Sequence, residues 1–274
     1  MELAKDRKKE NKIGILIAII PIVDIGIYQS ASALESLQNY QDIISSNISA
    51  SNVPGFKKTE VSYEAVEAGV YPKVTGSALS NEMPASFATL KGQLNFSQGE
   101  VIQTNSPSDV ALRGNGFFVL NTMEGDAIYT RNGKFIINNE GILVNNAGHP
   151  VQSTNGSVQT IPGEGEISID RNGAVLQGTT PLGELKVVFF ENPAENLTKV
   201  DGGFVAKDEE ARPNPVEEGT IQVLQGFVEN SNVKPIKEMV NMIQVSRAYE
   251  VNTKVIQAMD SLMNKAINTL GSTR

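Results

Sequence analysis

The side chains that carry out chemistry in enzymes are few in this sequence and widely scattered. The only histidine, His149, lies in a turn rich in Gly and Pro, and the chain contains no cysteine. A zinc site or a Cys–His pair would need further ligands of these types, so neither can be built. Acidic residues cluster at 208–210 and 217–218, in loop-like sequence where a solvated surface is the simpler explanation. We therefore predict no catalytic residue, no cofactor and no metal site.

Binding motifs for phosphates and nucleic acids are missing as well. Gly-Asn-Gly at 114–116 lies between strand-like runs and does not open a helix, as a phosphate-binding loop would. No Gly-x-Ser-x-Gly nucleophile elbow occurs. The net charge is -8, whereas nucleic-acid-binding proteins carry basic patches. We expect neither a small-molecule substrate nor a nucleic-acid partner.

The central part of the chain, from 82 to 224, has the pattern of an all-β, hairpin-rich domain. Asn-Gly is the preferred pair in type I′ hairpin turns, because both central residues need positive φ. Such pairs occur at 115–116, 132–133, 155–156 and 172–173. Short β-rich runs that flank these turns lie at 116–120, 134–137, 141–144 and 185–190. Many short strands with frequent turns favour a β module, and we predict that the Gly/Pro-rich stretch 211–219 is its exit.

The C-terminal stretch predicts a long amphipathic helix. Pro235 suits the first helical turn, and neither Pro nor Gly interrupts the chain from there to Gly271. Seam residues recur at the alternating three- and four-residue spacing of a coiled coil. This seam consists of Met242, Val245, Tyr249, Asn252, Ile256, Met259, Met263, Ala266 and Leu270, and a second row of Ala248, Val255 and Leu262 widens it. A helix of about 50 Å with so broad an apolar face needs a partner surface.

The N-terminal segment has a weaker pattern of the same kind. Leu34 lies in one row of seven-residue spacing, and Leu37 and Ile44 lie in another. We expect this helix to end before Pro54-Gly55. Terminal helices around a central β domain predict a mixed α and β fold, in which the two helices form a coiled-coil-like stem. The two stripes can cover each other or pair with neighbouring subunits, and their position at the chain ends favours assembly.

The first 22 residues combine a basic start with a short apolar run from Ile13 to Val23. The run is interrupted by Pro21 and is shorter than the about 20 residues that span a bilayer. This layout fits a signal peptide cleaved at the Ala-Ser-Ala of 31–33, an uncleaved membrane-affine extension, or a start site placed too far upstream. We predict that the native chain starts at or near Val23.

Three segments of the sequence resemble the flagellar hook–basal-body rod proteins. The first is 45–57, with Asn47, Asn52 and Pro-Gly-Phe-Lys at 54–57, although Ser46 and Ala50 replace the family's usual Asn. The second is 109–118 followed by Tyr-Thr-Arg-Asn-Gly-Lys-Phe at 129–135. The third and most specific runs from Gln-Gly-Phe-Val-Glu-Asn-Ser-Asn-Val at 225–233 through Glu-Met-Val-Asn-Met-Ile at 238–243 to Arg-Ala-Tyr-Glu-Val-Asn at 247–252. Together they cover most of the chain from 23 onward.

This resemblance implies a structural subunit of the basal-body rod. Such proteins are exported through the flagellar type III apparatus and polymerise with themselves and with other rod and hook proteins. Their terminal helices form an inner tube that transmits torque, and their β domains lie outside it. The predicted layout is a leader (1–22), an N-terminal helix and motif (23–57), a linker (58–81), a β domain (82–224) and a C-terminal motif and helix (225–274). The short β domain favours a rod protein over the longer hook protein, with proximal and distal rod both open.

The resemblance also suggests which residues form the assembly interface. The predicted interface comprises Leu34, Leu37, Ile44, Asn47, Asn52, Pro54, Gly55, Phe56, Met242, Val245, Tyr249, Asn252, Ile256, Met259 and Met263. Asn252 either fixes the register of the helices, or it caps a local kink or faces water. The alternative to a rod subunit is a secreted or periplasmic β-domain binding protein with a cleaved signal peptide, and processing after Ala33 would favour it.

Overall fold

The structure is a computed structural model that describes residues 2–70, 84–122, 124–208, 211–216 and 219–271. Within these ranges, side chains are described except at 2–25, 65–70, 84–88, 266 and 269–271. The helices are α1 (Glu2–Ser49), α2 (Pro193–Asn196) and α3 (Pro235–Gly271). The first ten strands are β1 (Thr59–Val70), β2 (Pro84–Leu94), β3 (Val101–Gln103), β4 (Val110–Arg113), β5 (Gly116–Asn121), β6 (Ala127–Thr130), β7 (Ile136–Ile137), β8 (Leu143–Val144), β9 (Gln152–Ser153) and β10 (Gly156–Ser157). The remaining strands are β11 (Ile167–Ile169), β12 (Ala174–Gln177), β13 (Thr180–Glu184), β14 (Val187–Phe189), β15 (Leu197–Val200), β16 (Gly203–Ala206), β17 (Asn214–Pro215), β18 (Gln222–Gln225) and β19 (Phe227–Glu229).

Both long helices follow from local sequence. α3 begins at Pro235, whose missing N–H is not needed in a first turn, and Glu238 lies in that turn. α1 ends at Ser49, before the Pro54-Gly55 pair, and it includes residues 2–22. In the described part of the chain, no helix combines the length and the apolar character that crossing a membrane requires.

The chain divides into two compact units. The helical unit contains α1 up to Ser46, the paired strands β1 and β2 between residues 61 and 92, and α3 from Ile236. The β unit contains residues 47–60 and 93–235. The mixed α and β class, with a helix at each end and strands between, agrees with the expectation from sequence.

The β unit is built around a six-stranded sheet with the order β15-β16-β6-β5-β14-β17. Its central strand β5 is buried on both faces, because successive side chains point alternately into two hydrophobic clusters. Phe118 and Leu120 pack in one cluster with Phe135, whereas Phe117 and Val119 pack in another. Such two-sided burial explains why this run is almost continuously apolar. The predicted strand at 116–120 is therefore confirmed as β5, the best defined of the four predicted runs.

The prediction that 211–219 is the exit from the β module is wrong. Within that stretch β17 pairs with β14, Val188 opposite Pro215. The chain then continues through β18, which pairs with β4, and β19, which pairs with β3. Pro215 is tolerated because β17 is an edge strand, where a missing N–H leaves no ladder hydrogen bond unmade.

None of the four Asn-Gly pairs forms the type I′ turn that this pair favours, because none of the four Asn residues has positive φ. Among the described non-glycine residues, only Asn105 has positive φ. At 172–173 the turn is instead held by Asp170, whose Oδ1 accepts from the N–H groups of Asn172 and Ala174, and Gly173 alone has positive φ. At 132–133 the glycine serves close approach, because a Cβ on Gly133 would overlap the carbonyl oxygen of Val110.

Candidate functional site

Two places in the structure gather the residues that the sequence singled out. The first, in the β unit, is the motif junction, which we define by Gly55, Lys57, Arg131, Glu229 and Asn232. These residues come from all three segments on which the family resemblance rests. Lys57 follows the turn after α1, Arg131 follows β6 and Glu229 ends β19. Long-range pairing of β18 with β4 places the C-terminal motif beside the central one, and the N–H of Gly55 donates to the carbonyl oxygen of Glu229.

A buried ion triad forms the centre of the motif junction. The Nζ of Lys57 lies 2.6 Å from Oε1 of Glu229, and Nη1 of Arg131 lies 3.3 Å from its Oε2. The relative exposures of the Lys57 and Glu229 side chains are both 0%, and that of Arg131 is 2%. Two cations thus share one anion, and the triad carries a net positive charge inside the protein.

Neutral groups supply part of the remaining stabilisation of these charges, and Nε of Arg131 is buried without a hydrogen-bond partner. Lys57 also donates to the carbonyl oxygen of Ser97 at 2.8 Å, and Glu229 accepts from the N–H of Gly99 at 2.9 Å. The guanidinium carbon of Arg131 lies 5.2 Å from the centre of the Phe117 ring, a cation–π contact. Burial lowers the pKa of Lys57 and of Arg131, and in both cases the nearby Glu229 opposes that effect. Glu229 is therefore what makes burial of the two cations tolerable.

Gly55 lets the chain pass through the crowded backbone beside the triad. Its φ is +69°, and its N–H donates to the carbonyl oxygen of Glu229 at 2.7 Å. A Cβ at this position would overlap the backbone of Arg131 and Asn132. The glycine of the Pro-Gly-Phe-Lys motif is therefore required both by its backbone conformation and by lack of space.

Two asparagine side chains of these segments form hydrogen bonds with backbone groups of other residues. Asn47 is buried, its Nδ2 donates to the carbonyl oxygen of Thr59 at 2.9 Å, and its Oδ1 accepts from the Thr59 N–H at 3.0 Å. Asn232 accepts from the N–H of Lys58 at 2.8 Å and donates to the carbonyl oxygen of Asn95 at 2.8 Å. At points where helix or sheet ends, both side chains thus provide the hydrogen-bond partners that backbone N–H and C=O groups would otherwise lack.

The other predicted residues of the N-terminal motif are more accessible. Asn52 is exposed, and Pro54 and Phe56 are half-buried. The Nζ of Lys199 lies 3.7 Å from the centre of the Phe56 ring, and burial lowers the pKa of Lys199. Within one chain, then, Asn47 and Gly55 hold the fold, whereas Asn52 faces solvent; a role of these residues between subunits stays a prediction.

The second place is the helical unit, where α1 and α3 contact each other. The Nε2 of Gln41 donates to Oγ of Ser246 at 3.3 Å. Near the other end of the contact, a Cβ on Gly26 would lie 3.0 Å from Cε of Met259. Leu37 and Ile44 are buried on α1, as is Val245 on α3.

The predicted seam of α3 lies mainly on its less exposed side. Val245 is buried, Met242, Asn252, Ile256, Met259 and Met263 are half-buried, and Tyr249 has a relative exposure of 36%. On α1 Leu34 is half-buried. Asn252 donates from Nδ2 to the carbonyl oxygen of Ala248 at 3.0 Å, which is a local contact. The seam positions Ala266 and Leu270 lie outside the described side chains.

A second apolar row of α3 is uncovered, and we call it the outward stripe. It consists of Ile236, Val240, Ile243, Val251, Val255 and Leu262, whose relative exposures are 80%, 48%, 54%, 59%, 37% and 62%. Steps of three and four residues, or their multiples, separate its members, so they share one face of the helix. The second row that we predicted from the sequence (Ala248, Val255 and Leu262) overlaps this stripe at two positions, Val255 and Leu262.

The described residues contain no cluster of metal-ligating side chains. Among them, no group of three or more His, Asp or Glu side chains could hold a metal ion. His149 is half-buried in a turn, with its Nδ1 3.5 Å from Nδ2 of Asn145. Arg131 and Glu229 lie within the family motifs, but the sequence pattern assigns them no role. A charged residue at the end of an otherwise apolar strand, as in Gly226-Phe-Val-Glu229, is the signal that could have pointed to Glu229.

Three family models match the chain, and they fall on the same three parts. Residues 27–57 match the flagella basal body rod protein model, 111–177 match the D1 domain of flagellar hook protein FlgE/F/G, and 224–269 match the C-terminal model of the flagellar basal body rod FlgEFG proteins. The first of these contains Asn47, Gly55 and Lys57, the second contains Arg131, and the third contains Glu229.

Named relatives extend the similarity over nearly the whole chain. The flagellar basal-body rod protein FlgG of Buchnera aphidicola subsp. Baizongia pistaciae is 34% identical, over 87% of this chain and 97% of the relative. FlgF of Caulobacter vibrioides is 32% identical over 91% and 99%, and FlgF of Mesorhizobium japonicum is 31% identical over 90% and 98%. The chain therefore belongs to the flagellar basal-body rod protein family.

Proposed function

We propose that this chain is a structural subunit of the flagellar basal-body rod, which polymerises through its terminal helices into the torque-transmitting axial tube. Its location is the flagellar basal body. Similarity to rod proteins along the chain favours this function over the alternative of a secreted β-domain binding protein.

The observation that carries the proposal is the outward stripe of α3. One side of this helix contacts α1, while Ile243, Val251 and Leu262 remain exposed on another. A helix with apolar residues on two faces is suited to contact two other elements at once. Contiguous exposed apolar residues on a soluble protein mark an interaction site. A neighbouring subunit is the natural partner for such a face in a polymer.

The terminal helices together form the stem of the subunit. In this proposal α1 and the seam of α3 pack as a coiled-coil-like pair, and the predicted interface residues act within that pair or at its contact with neighbours. The buried motif junction gives the β unit a fixed geometry at the point where both motifs end. A rigid subunit is what torque transmission requires.

Export and partners follow from the same function. The chain passes through the flagellar type III apparatus and then contacts itself and other axial proteins of the rod and hook. The absence of cysteine suits a chain that crosses the envelope unfolded, because no disulfide can trap it. No catalytic role is part of the proposal.

The experiment replaces residues of the outward stripe and measures assembly. In cells whose own gene is deleted, the double variant Ile243→Gln/Val251→Gln should be absent from purified basal bodies and should not restore motility. Its thermal midpoint should match the wild type, because both side chains are exposed in the monomer. Ile136→Gln/Ile137→Gln, at exposed positions of the β unit, is the matched control and should assemble. Normal incorporation of the stripe variant would refute polymerisation through α3.

A further inference from the structure

The outward stripe of α3 carries a defined pattern of charge. Arg247 and Lys254 are exposed and lie seven residues apart. Steps of three or four residues connect them to Ile243 and Val251, so they belong to the face of the stripe. The exposed Glu250 lies between them at the edge of that face. The sequence of charges along this side of α3 is therefore positive, negative, positive.

The outward face of α1 carries the complementary pattern. Glu35 and Asp42 are exposed and also lie seven residues apart. Between them on the same side of the helix are Gln38 and Asn39, both exposed, whose amide groups can donate hydrogen bonds. In the described part of the chain, none of the salt bridges involves Glu35, Asp42, Arg247 or Lys254. The four charges are thus available to another molecule.

The spacing of the two patterns is the same. Seven residues of α-helix rise about 10.5 Å, so two acidic groups on one helix can face two basic groups on another simultaneously. The match holds whether the helices run parallel or antiparallel, and in both cases Glu250 falls opposite the amides of Gln38 and Asn39. Two correctly spaced pairs and a central polar contact fix a register, which a purely apolar stripe does not.

We propose that the outward stripe of α3 in one subunit docks on the outward face of α1 in a second copy of this chain. Glu35 and Asp42 of one copy then pair with Arg247 and Lys254 of the other. This proposal rests on the proposed function, because it names the partner face of the polymerising helix. The charges give the contact its register, and the exposed apolar side chains of α3 give it its buried area.

The contact joins two different faces and is therefore not the self-complementary contact of a two-fold dimer. When a surface of one subunit binds a different surface of the next, each added subunit presents a fresh acceptor face, and the contact propagates into a ring or a filament. The faces of α1 and α3 that meet within one chain are different ones, where Leu37, Ile44 and Val245 are buried. Each helix thus has one face for its own chain and one for a neighbour.

Charge reversal tests the pairing in the full-length chain. In the gene-deleted cells, the variants Glu35→Lys/Asp42→Lys and Arg247→Glu/Lys254→Glu are expressed singly and together. Each alone places like charges opposite one another, and its amount in purified basal bodies should fall by at least about tenfold. Co-expression should restore incorporation of both, because the reversed α1 of one variant then meets the reversed α3 of the other.

Rescue by co-expression separates the contact from other defects. A variant that cannot fold or be exported stays absent from basal bodies, and co-expression of a second variant does not restore its incorporation. The inference is overturned if each reversal alone assembles normally or if co-expression restores nothing.

The stripe variant Ile243→Gln/Val251→Gln distinguishes the two proposals. If it blocks incorporation while the reversals have no effect, polymerisation through α3 stands and α1 is not its partner. If none of these variants affects incorporation, the proposed function of α3 fails together with the inference.

Discussion

The ammonium group of Lys57 and the carboxylate of Glu229 lie 2.6 Å apart, although 172 positions separate them in the chain. Both side chains are completely buried. The pair joins the N-terminal motif of a rod protein to its C-terminal motif, and Arg131 joins the central domain to both. The three motifs that identified the family therefore each contribute one residue to the same buried cluster.

Removing the anion of this cluster should destabilise the β unit strongly. In Glu229→Gln two buried cations lose their counter-charge, and breaking a buried ion pair by removing one partner costs about 3–5 kcal/mol. Chemical denaturation monitored by circular dichroism measures this loss. Glu140→Gln, the same change at an exposed position, should leave the free energy of unfolding within about 0.5 kcal/mol of the wild type.

Coupling within the triad gives a second readout of the same site. Combining Glu229→Gln with Lys57→Met removes one of the stranded cations, so the double variant should be more stable than the sum of the single effects predicts. Additive effects would mean that the two side chains do not interact in the folded protein.

Gly55→Ala should cost more stability than an alanine at another glycine of positive φ. Gly163 has φ +89°, and no atom lies within 4 Å of the position that a Cβ would take there. Gly163→Ala therefore measures backbone strain alone, about 1–2 kcal/mol. At Gly55, overlap with the backbone of Arg131 and Asn132 adds about 1–3 kcal/mol. Thermal unfolding of the two variants tests the difference, and equal midpoints would contradict the crowding at Gly55.

Asn47 and Asn52 belong to one motif but should respond differently to alanine. Asn47→Ala leaves the N–H and the carbonyl of Thr59 without their partner, at a cost of roughly 2–4 kcal/mol. Asn52 is exposed, so Asn52→Ala should change the free energy of unfolding by less than about 0.5 kcal/mol. Denaturant titration of both variants is the measurement. A large loss in Asn52→Ala would show a structural role that its exposed position does not indicate.

Two tyrosines with restricted access to solvent should make the fold sensitive to alkali. Burial raises the pKa of Tyr129, and burial followed by Tyr63 and Glu238 raises that of Tyr40, both from an ordinary value of 10.0. The unfolded chain therefore loses these protons first. Above pH about 10 it binds fewer protons than the folded chain, and stability falls as pH rises.

The double variant Tyr40→Phe/Tyr129→Phe isolates this contribution from other titrating groups. Between pH about 9 and about 11, its thermal midpoint should fall less steeply than that of the wild type, while at neutral pH the pH dependence should be the same. Identical slopes in the alkaline range would show that neither phenol has a raised pKa. Tyr28→Phe, at an exposed position, provides the control.

The sequence by itself determined the terminal helices, the core strand β5 and the family. The seam from Met242 to Met263 is a local periodic pattern, and no distant residue is needed to make it helical. β5 was predictable for a similar reason, because a short apolar run between turn signals leaves few alternatives. The three motifs identified the family without any knowledge of their contacts.

Only the tertiary structure decided what the charged and turn residues do. Whether Lys57, Arg131 and Glu229 are buried together depends on long-range pairing such as that of β18 with β4, and strand pairing over such distances is not encoded in any short window. The Asn-Gly turn at 172–173 is not of type I′, because Asp170 accepts hydrogen bonds from the N–H groups of Asn172 and Ala174 and only Gly173 has positive φ there. Likewise, periodicity predicted one broad apolar face for α3, whereas the structure covers one side of the helix with α1 and leaves a separate apolar row exposed.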